Sequence, residues 1–276
     1  MRNFLCLVSD PLKFGRGHLA RQIQIQREFE KLGIEYPIHI TKAESVSSLL
    51  MQTTTLVLDL SVFDEEPAAN FLDQFAETIG FDWSGTYIPH RNFVVVAHPG
   101  REYQASKYVS TGLQNLVVKS EISILKKTHD PIGPDFLLIS LGYSAGTKAY
   151  QNVLALTGGL PKIPKILASG RDLKISPSED LEIVIDSPNF IQLLAASKAV
   201  ISNGGTTYIE SLLLGKSVLP IPQTIDEQNF VDAIHPLTHH DVGLPRFRKM
   251  DSESASKAGV GTQGAERLCK IMIENS

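Results

Sequence analysis

Four stretches of this 276-residue chain combine glycines with polar or charged side chains in patterns suited to chemistry. The first, Phe14-Gly15-Arg16-Gly17-His18-Leu19-Ala20-Arg21, follows an apolar run and opens a helical pattern. Gly15 and Gly17 permit close backbone approach, and a helix start offers N–H groups to an anion. No third glycine follows, so this is not a dinucleotide fingerprint, and the absence of Gly-Lys-Ser/Thr excludes a P-loop. His18 falls in the first helical turn, where the positive helix end disfavours the imidazolium. A neutral histidine beside an anion site is suited to general-base work. The same position also suits a histidine that only caps the helix.

The second stretch, Ser202-Asn203-Gly204-Gly205-Thr206-Thr207-Tyr208-Ile209-Glu210, runs from a buried strand into a helix. Gly204, Gly205, Thr206 and Thr207 offer backbone and hydroxyl donors to a phosphate, and Glu210 could accept from a ribose diol. An Asn-Gly turn with Thr206 as N-cap is the plainer alternative. The third stretch, Pro220 to Asn229, places the adjacent amides Gln228 and Asn229 at another helix start, suited to reading sugar hydroxyls; alone, it reads better as a solvated turn capped by Asp226. The fourth, Ile139 to Lys148, carries Gly142 and Tyr143 in a small-residue loop able to face a diphosphate. It also satisfies Gly-x-Ser-x-Gly around Ser144, but a triad would need the weak cluster His235, His239, His240 and Asp241. That cluster lacks zinc spacing and reads as a solvated loop. Asp59 and His98-Pro99-Gly100, at strand ends, are weaker candidates.

The elements that must hold these residues alternate in the βαβ manner. Strands are expected at Phe4–Val8, Tyr36–Ile40, Thr55–Leu60 and Phe93–Ala97, with helices at His18–Leu32, Glu44–Met51 and Pro67–Ile79. Residues 81–91 and 101–112 read mainly as loop. Two prolines and a glycine within Thr128–Asp135 make that segment the linker. The alternation then restarts: strands at Phe136–Leu141, Lys165–Ala168, Leu181–Ile185, Ala199–Ser202 and Ser217–Ile221. Helices are expected at Lys148–Leu156, Phe190–Ser197, Thr206–Leu214, Glu227–Ile234 and Ala265–Ile273. The expected organisation is a Rossmann-like domain at 1–130, a second at 135–250, and a tail helix at 251–276 whose docking on the first the sequence leaves open. In such sheets ligands meet the carboxyl ends of the strands.

Composition narrows the partners. The chain is 42% hydrophobic and 20% charged, with 26 Lys plus Arg against 30 Asp plus Glu, a net charge of -4. That balance argues against a general nucleic-acid binder. No apolar run reaches eighteen residues, so no spanning helix is expected, and the initial apolar run is too short for a signal peptide. Two cysteines, Cys6 and Cys269, do not make a disulfide scaffold. A cytoplasmic protein is expected.

Gly15-x-Gly17-His18-x-x-Arg21 resembles the signature of nucleotide-sugar hydrolases of the pseudaminic-acid pathway and their spore-coat polysaccharide relatives. These are GT-B proteins related to the murein-pathway N-acetylglucosaminyltransferase. The second half is similar: Val184-Ile185-Asp186 resembles the segment whose backbone meets uracil. Gly204 with Glu210 resembles the diphosphate and ribose loop, and Gln228-Asn229 falls where the transferase has its donor-sugar amides. Gly142 sits at the family's diglycine loop, with Tyr143 in place of the second glycine, and His98-Pro99-Gly100 stands where relatives often carry an acidic pair. The resemblance implies two doubly wound α/β domains facing across a cleft, with His18 as the base that activates water. It implies a UDP-sugar substrate, no metal and no cofactor, in the making of surface polysaccharide or nonulosonate sugars. A glycosyltransferase with a hydroxyl acceptor and a non-catalytic nucleotide-sugar binder are the alternatives.

Overall fold

The computed structural model describes residues 3–14, 16–40, 55–60, 75, 77–82, 93–97, 107–110, 112–128, 135–143, 145–160, 163–244 and 246–274. The expected helix at 44–51, the loop residues 98–100, Gly15 and Ser144 lie outside them. The chain divides into two compact units, residues 1–119 with 258–276, and residues 120–257.

The first unit is built on six parallel strands: β1 (Phe4–Val8), β2 (Ile38–Ile40), β3 (Thr55–Asp59), β4 (Glu77–Phe81), β5 (Phe93–Ala97) and β6 (Lys107–Ser110). Their order is β2-β1-β3-β4-β5-β6. Because β2 lies on one side of β1 and β3 on the other, the chain reverses direction across the sheet there. A crevice opens outside the carboxyl ends at such a switch point. Between β1 and β2 run a single turn, α1 (Pro11–Phe14), and the long helix α2 (Gly17–Lys31). Gly33 ends α2 in a Schellman motif, its N–H bonded to Glu30 O and that of Ile34 to Phe29 O.

Three expectations change here. Glu77, Thr78 and Ile79, read as the end of a helix, form the first part of β4, and residues 107–110, read as loop, form β6. Ile79 fits a helical spacing, but Thr78, Ile79 and Phe81 are also good strand formers, and the parallel pairing with β3 decides in favour of the sheet. β2 begins at Ile38 rather than Tyr36: Tyr36 is buried in the core, and Pro37 has no N–H to give to a ladder.

One face of β1, carrying Phe4, Cys6 and Val8, packs with Ile25 and Phe29 of α2 and with Leu268, Cys269 and Met272 of the last helix, α9 (Gly264–Glu274). Phe29 stacks on Tyr36 at 4.6 Å between ring centroids. The cysteines from the two ends of the sequence are thus free thiols in one core, and burial pushes both above the ordinary thiol range. The start of α9 lies against residues 115–117: a Cβ on Gly264 would stand 2.0 Å from Leu116 O.

The second unit starts with α3 (Glu121–Thr128), followed by β7 (Leu137–Ser140), α4 (Thr147–Leu156), β8 (Lys165–Ser169), β9 (Leu181–Ile185) and α5 (Phe190–Ala196). Then come β10 (Ala199–Ser202), α6 (Thr206–Leu213), β11 (Ser217–Pro220) and α7 (Ile225–Ile234). α3 packs on α5 and α6, so this unit begins ahead of the proline-rich segment expected to divide the chain, of which residues 129–134 lie outside the described set. The sheet order is β12-β13-β11-β10-β7-β8-β9. Here β12 (Thr238–His240) and β13 (Arg248–Met250) are short antiparallel edge strands with no counterpart in the sequence reading. The expected tail separates as well: α8 (Ser252–Lys257) belongs to the second unit and α9 to the first.

The second switch point falls between β7 and β10. Tyr150 of α4, fully buried, accepts from Leu141 N and donates to Ala168 O, both at 3.1 Å, and so ties together the carboxyl ends of β7 and β8. Replacing Gly264 by Ala should destabilise the first unit by about 1–3 kcal/mol through overpacking. Gly17→Ala, whose Cβ would meet nothing within 4 Å, should stay within about 0.5 kcal/mol of the parent. Urea denaturation of the two variants checks both.

Candidate functional site

The first switch point gathers a charged cluster. Asp59, the last residue of β3, has no solvent exposure and is aligned with Val8 of β1. The helix that leaves β1 brings three side chains onto it. Arg21 reaches it with two nitrogens, Nε to Oδ2 at 2.8 Å and Nη2 to Oδ1 at 2.6 Å. Gln22 Nε2 donates to Oδ2 at 2.7 Å, and His18 Nδ1 lies 2.6 Å from Oδ1. Positions 18, 21 and 22 share one helical face by the i, i+3, i+4 rule, which is why one carboxylate can meet all three.

Arg21 extends further. Its Nη1 donates to Asp82 Oδ2 at 2.8 Å, and its guanidinium carbon sits 5.1 Å from the Phe81 ring centroid. Asp82 follows β4 in a left-handed backbone conformation, φ +50°, uncommon outside glycine. Gln22 is fixed in turn by Tyr36, whose hydroxyl donates to Gln22 Oε1 at 2.7 Å.

The electrostatics follow from burial and pairing. Burial alone would raise the pKa of Asp59, but the Arg21 guanidinium, aided by His18, outweighs it and holds the carboxyl far below the usual range. A carboxylate that stays ionised can only accept, so the short contact to His18 is an Nδ1–H donation. Nε2 of His18 is then the ring nitrogen with a lone pair. The side chain of His18 remains 27% exposed. The helix end is therefore not the only charge acting on His18, as the sequence reading had it: a carboxylate fixes its tautomer.

The second switch point carries the glycine loops. Gly142 follows β7 with φ +75°, and a Cβ there would come within 2.7 Å of Asn203 Nδ2. Gly204 follows β10 with φ +94°, and its Cβ would strike Val231 Cγ2 at 2.6 Å. Both positions thus require glycine for backbone conformation and for space. Asn203 Nδ2 donates to Glu227 Oε1 at 2.5 Å, and Glu227 Oε2 accepts from Gln223 N at 2.6 Å. This carboxylate ties the loop after β10 to the start of α7, and partial burial raises its pKa.

The N-cap of α6 is Gly205, with no side-chain cap, so the alternative of Thr206 as N-cap is not what forms. Thr206 is exposed and Thr207 half-buried. For α7 the cap is Thr224, which accepts from Glu227 N, and not Asp226. Glu210 is only 1% exposed, inside α6. Gln228 is exposed and donates to Asp232 at 2.8 Å, while Asn229 beside it is half-buried. Ile185 ends β9 exposed, and Asp186 follows at φ +50°. Tyr143 carries the guanidinium of Arg171 over its ring, 5.1 Å from the centroid.

The structure thus brings His18 and Arg21 together at one switch point, and Gly142, Tyr143, Gly204, Gly205, Thr206 and Thr207 into the loops of the other. The sequence reading rated Asp59 weakly and missed Asp82, Asn203, Glu227 and Arg171. Asp59 had a legible signal, a carboxylate closing an apolar strand; Asp82, Asn203 and Arg171 lie in loops and Glu227 in the first turn of α7, where residue type alone does not show the partner. Among the described residues no group of three or more His, Cys, Asp or Glu could hold a metal ion, and no helix is long and apolar enough to cross a membrane. A cavity of about 350 Å³ in the second unit is lined by Leu156, Leu160, Ile201, Leu219, Ile221 and Phe247 among others, and by none of the candidate residues.

Two Rossmann-like units, each on a largely parallel sheet, define the class: an α/β fold whose structural neighbours include UDP-GlcNAc 2-epimerases and glycosyltransferases. Among solved structures, the chain is similar to UDP-GlcNAc 2-epimerase of Methanocaldococcus jannaschii, in complex with UDP-GlcNAc and UDP. The TM-score is 0.58 at 10% identity, with 99% of each chain covered. It is likewise similar to UDP-GlcNAc 2-epimerase from Neisseria meningitidis bound to UDP-GlcNAc (TM-score 0.59, 11% identity, 99% of this chain and 100% of that one). The glycosyltransferase SnogD from Streptomyces nogalater gives a TM-score of 0.52 at 12% identity, over 99% of this chain and 100% of the other. No family model matches the sequence, and no curated protein matches it.

Because Asp59 is depressed on folding, its stabilisation is present above the unfolded carboxyl value, about 3.9, and is lost as pH falls below it. Asp59→Asn leaves Arg21 buried beside one carboxylate fewer and should cost about 3–5 kcal/mol at neutral pH. The variant should also lose less stability than the parent as pH falls from 7 to 3, the remaining acid-side loss coming from other depressed carboxylates such as Asp241, which chemical denaturation across that range reads.

Proposed function

We propose that the chain hydrolyses a UDP-sugar, the second unit holding the nucleotide and His18 of the first supplying the general base. The observation that carries this reading is the 2.6 Å contact of Asp59 with His18 Nδ1, which orients the ring so that Nε2 is the nitrogen able to take a proton from the neutral form. Nε2 takes a proton from water while the water oxygen attacks the anomeric carbon. The bond from that carbon to the β-phosphate oxygen breaks, and UDP leaves with the electron pair. In this reading Arg21 is a positioning residue, its guanidinium engaged by Asp59 and Asp82.

On the nucleotide side, Gly142, Gly204 and Gly205 let backbone approach the diphosphate, and the uncapped start of α6 with Thr206 and Thr207 supplies donors. Gly17 opens α2 directly ahead of His18. The segment ending at Ile185 would meet the base, Glu210 the ribose, and Gln228 with Asn229 the sugar, as the resemblance implies. Binding of UDP-GlcNAc and UDP by the Methanocaldococcus epimerase of the same fold supports a uridine nucleotide as ligand. Such a reaction would serve the making of a surface-polysaccharide or nonulosonate sugar.

A thermal-shift panel with UDP, dTDP, GDP, CMP and ADP should show a UDP-selective rise. A ligand at about a hundred times its Kd adds roughly 2.7 kcal/mol, several degrees at this chain length. Incubation with UDP-sugars, read by NMR, should release UDP and free sugar in the presence of EDTA, with a loss of at least about a hundredfold in kcat for His18→Asn. UDP release only with an added hydroxyl acceptor would show a glycosyltransferase, and an epimerised nucleotide sugar would show an epimerase. Binding with no turnover would show a non-catalytic binder, and no shift with any nucleotide would end the reading.

A further inference from the structure

Resting on the reading of the second unit as the nucleotide site, we propose that Arg171 is a specificity-determining residue whose guanidinium binds the diphosphate of the ligand. Arg171 stands two residues beyond β8, at the carboxyl end of the strand next to β7, and β7 is flanked on its other side by β10. It is on the loop adjoining the one that carries Gly142 and Tyr143.

The side chain is held firmly. Its guanidinium lies over the Tyr143 ring, and Nη2 donates to Tyr143 O. The backbone N–H of Arg171 donates to Ser169 Oγ at 3.2 Å. Gly170 makes the stack possible, since a Cβ there would stand 3.1 Å from Tyr143 Cδ2. Tyr143, at the position where the resembled loop has its second glycine, is the platform for the cation.

The charge, by contrast, meets no counter-charge among the described residues. Arg171 forms no ion pair among the described residues, although Asp172 follows it and Asp186 closes β9. Among the described residues, buried Nε has no acceptor and Nη1 makes no hydrogen bond. Arg21 of the first unit, equally well anchored, meets two carboxylates. A half-buried, pre-oriented guanidinium left uncompensated is matched by an anion brought from outside, and its planar fork fits phosphate oxygens. A second unmet group lies in the same loop set: Ser202, the last residue of β10, is fully buried and its Oγ has no partner among the described residues. Together with the uncapped start of α6, these groups describe a phosphate-binding surface.

Calorimetric titration of uridine and UDP into the parent chain, Arg171→Gln and Arg171→Lys, at low and high salt, tests this. The parent should bind UDP more tightly than uridine. Arg171→Gln should weaken UDP by at least about tenfold, leave uridine within about twofold, and flatten the salt dependence of UDP binding. Arg171→Lys, which keeps the charge and loses the stack, should fall between the two with uridine unchanged. Equal weakening of uridine and UDP would assign Arg171 to holding the loop and overturn the proposal, as would unchanged UDP binding in both variants. A parent chain that binds neither compound would remove the nucleotide site itself, and Arg171 with it.

Discussion

A carboxylate withdrawn from water at the end of a strand must be met by positive charge and by donors, or it will not stay ionised. Asp59 imposes that demand on the first unit. Arg21, Gln22 and His18 answer it, and their common helical face sets the rotation of α2 against the sheet. Arg21 then needs its second carboxylate, which Asp82 supplies from a left-handed turn after β4. Gln22 carries the network inward to Tyr36 and the aromatic packing of Phe29 and Phe4. The proton on His18 Nδ1 is the outermost consequence of this chain of pairings, so the orientation of the ring begins with a buried aspartate on the strand beside β1.

The second unit solves a different problem with the same architecture. Here no buried charge pair organises the switch point; close backbone approach does. Glycines at 142 and 204 let the loops from β7 and β10 touch through Asn203, and Glu227 fastens the result to α7. What remains unmet there is donor capacity: the open helix start of α6, the Ser202 hydroxyl and the Arg171 guanidinium. Among the described residues, the first switch point is a closed set of charge pairs, whereas the second keeps unpaired donors.

Much of this was legible in the sequence because parallel strands buried on both faces read as unbroken apolar runs. Phe4–Val8 and Ala199–Ser202, buried along their whole length, stand out for that reason. The elements that were missed are those whose identity comes from pairing rather than pattern. Ile79 fits a helix as well as a strand until β3 claims it, and β12 and β13 are three-residue edges. The site was half legible. His18 and the glycine loops are local features, whereas the contacts of Asp59 with His18 and Arg21 join residues 41 and 38 positions apart. Pairing across that distance leaves no periodic trace, and the same holds for Arg171 and the ring of Tyr143, 28 positions away.

The placement of α9 has a consequence for how the molecule is made. Every residue of the second unit leaves the ribosome before Leu268, Cys269 and Met272, which complete the core of the first. Throughout that interval the apolar face shared by β1 and α2, with Phe4, Ile25 and Phe29, lacks its covering helix while a whole further sheet is being synthesised. The unit whose residues emerge first is thus the last to have its core complete, and nascent chains arrested before residue 264 would expose a parallel sheet in the state most open to wrong pairing.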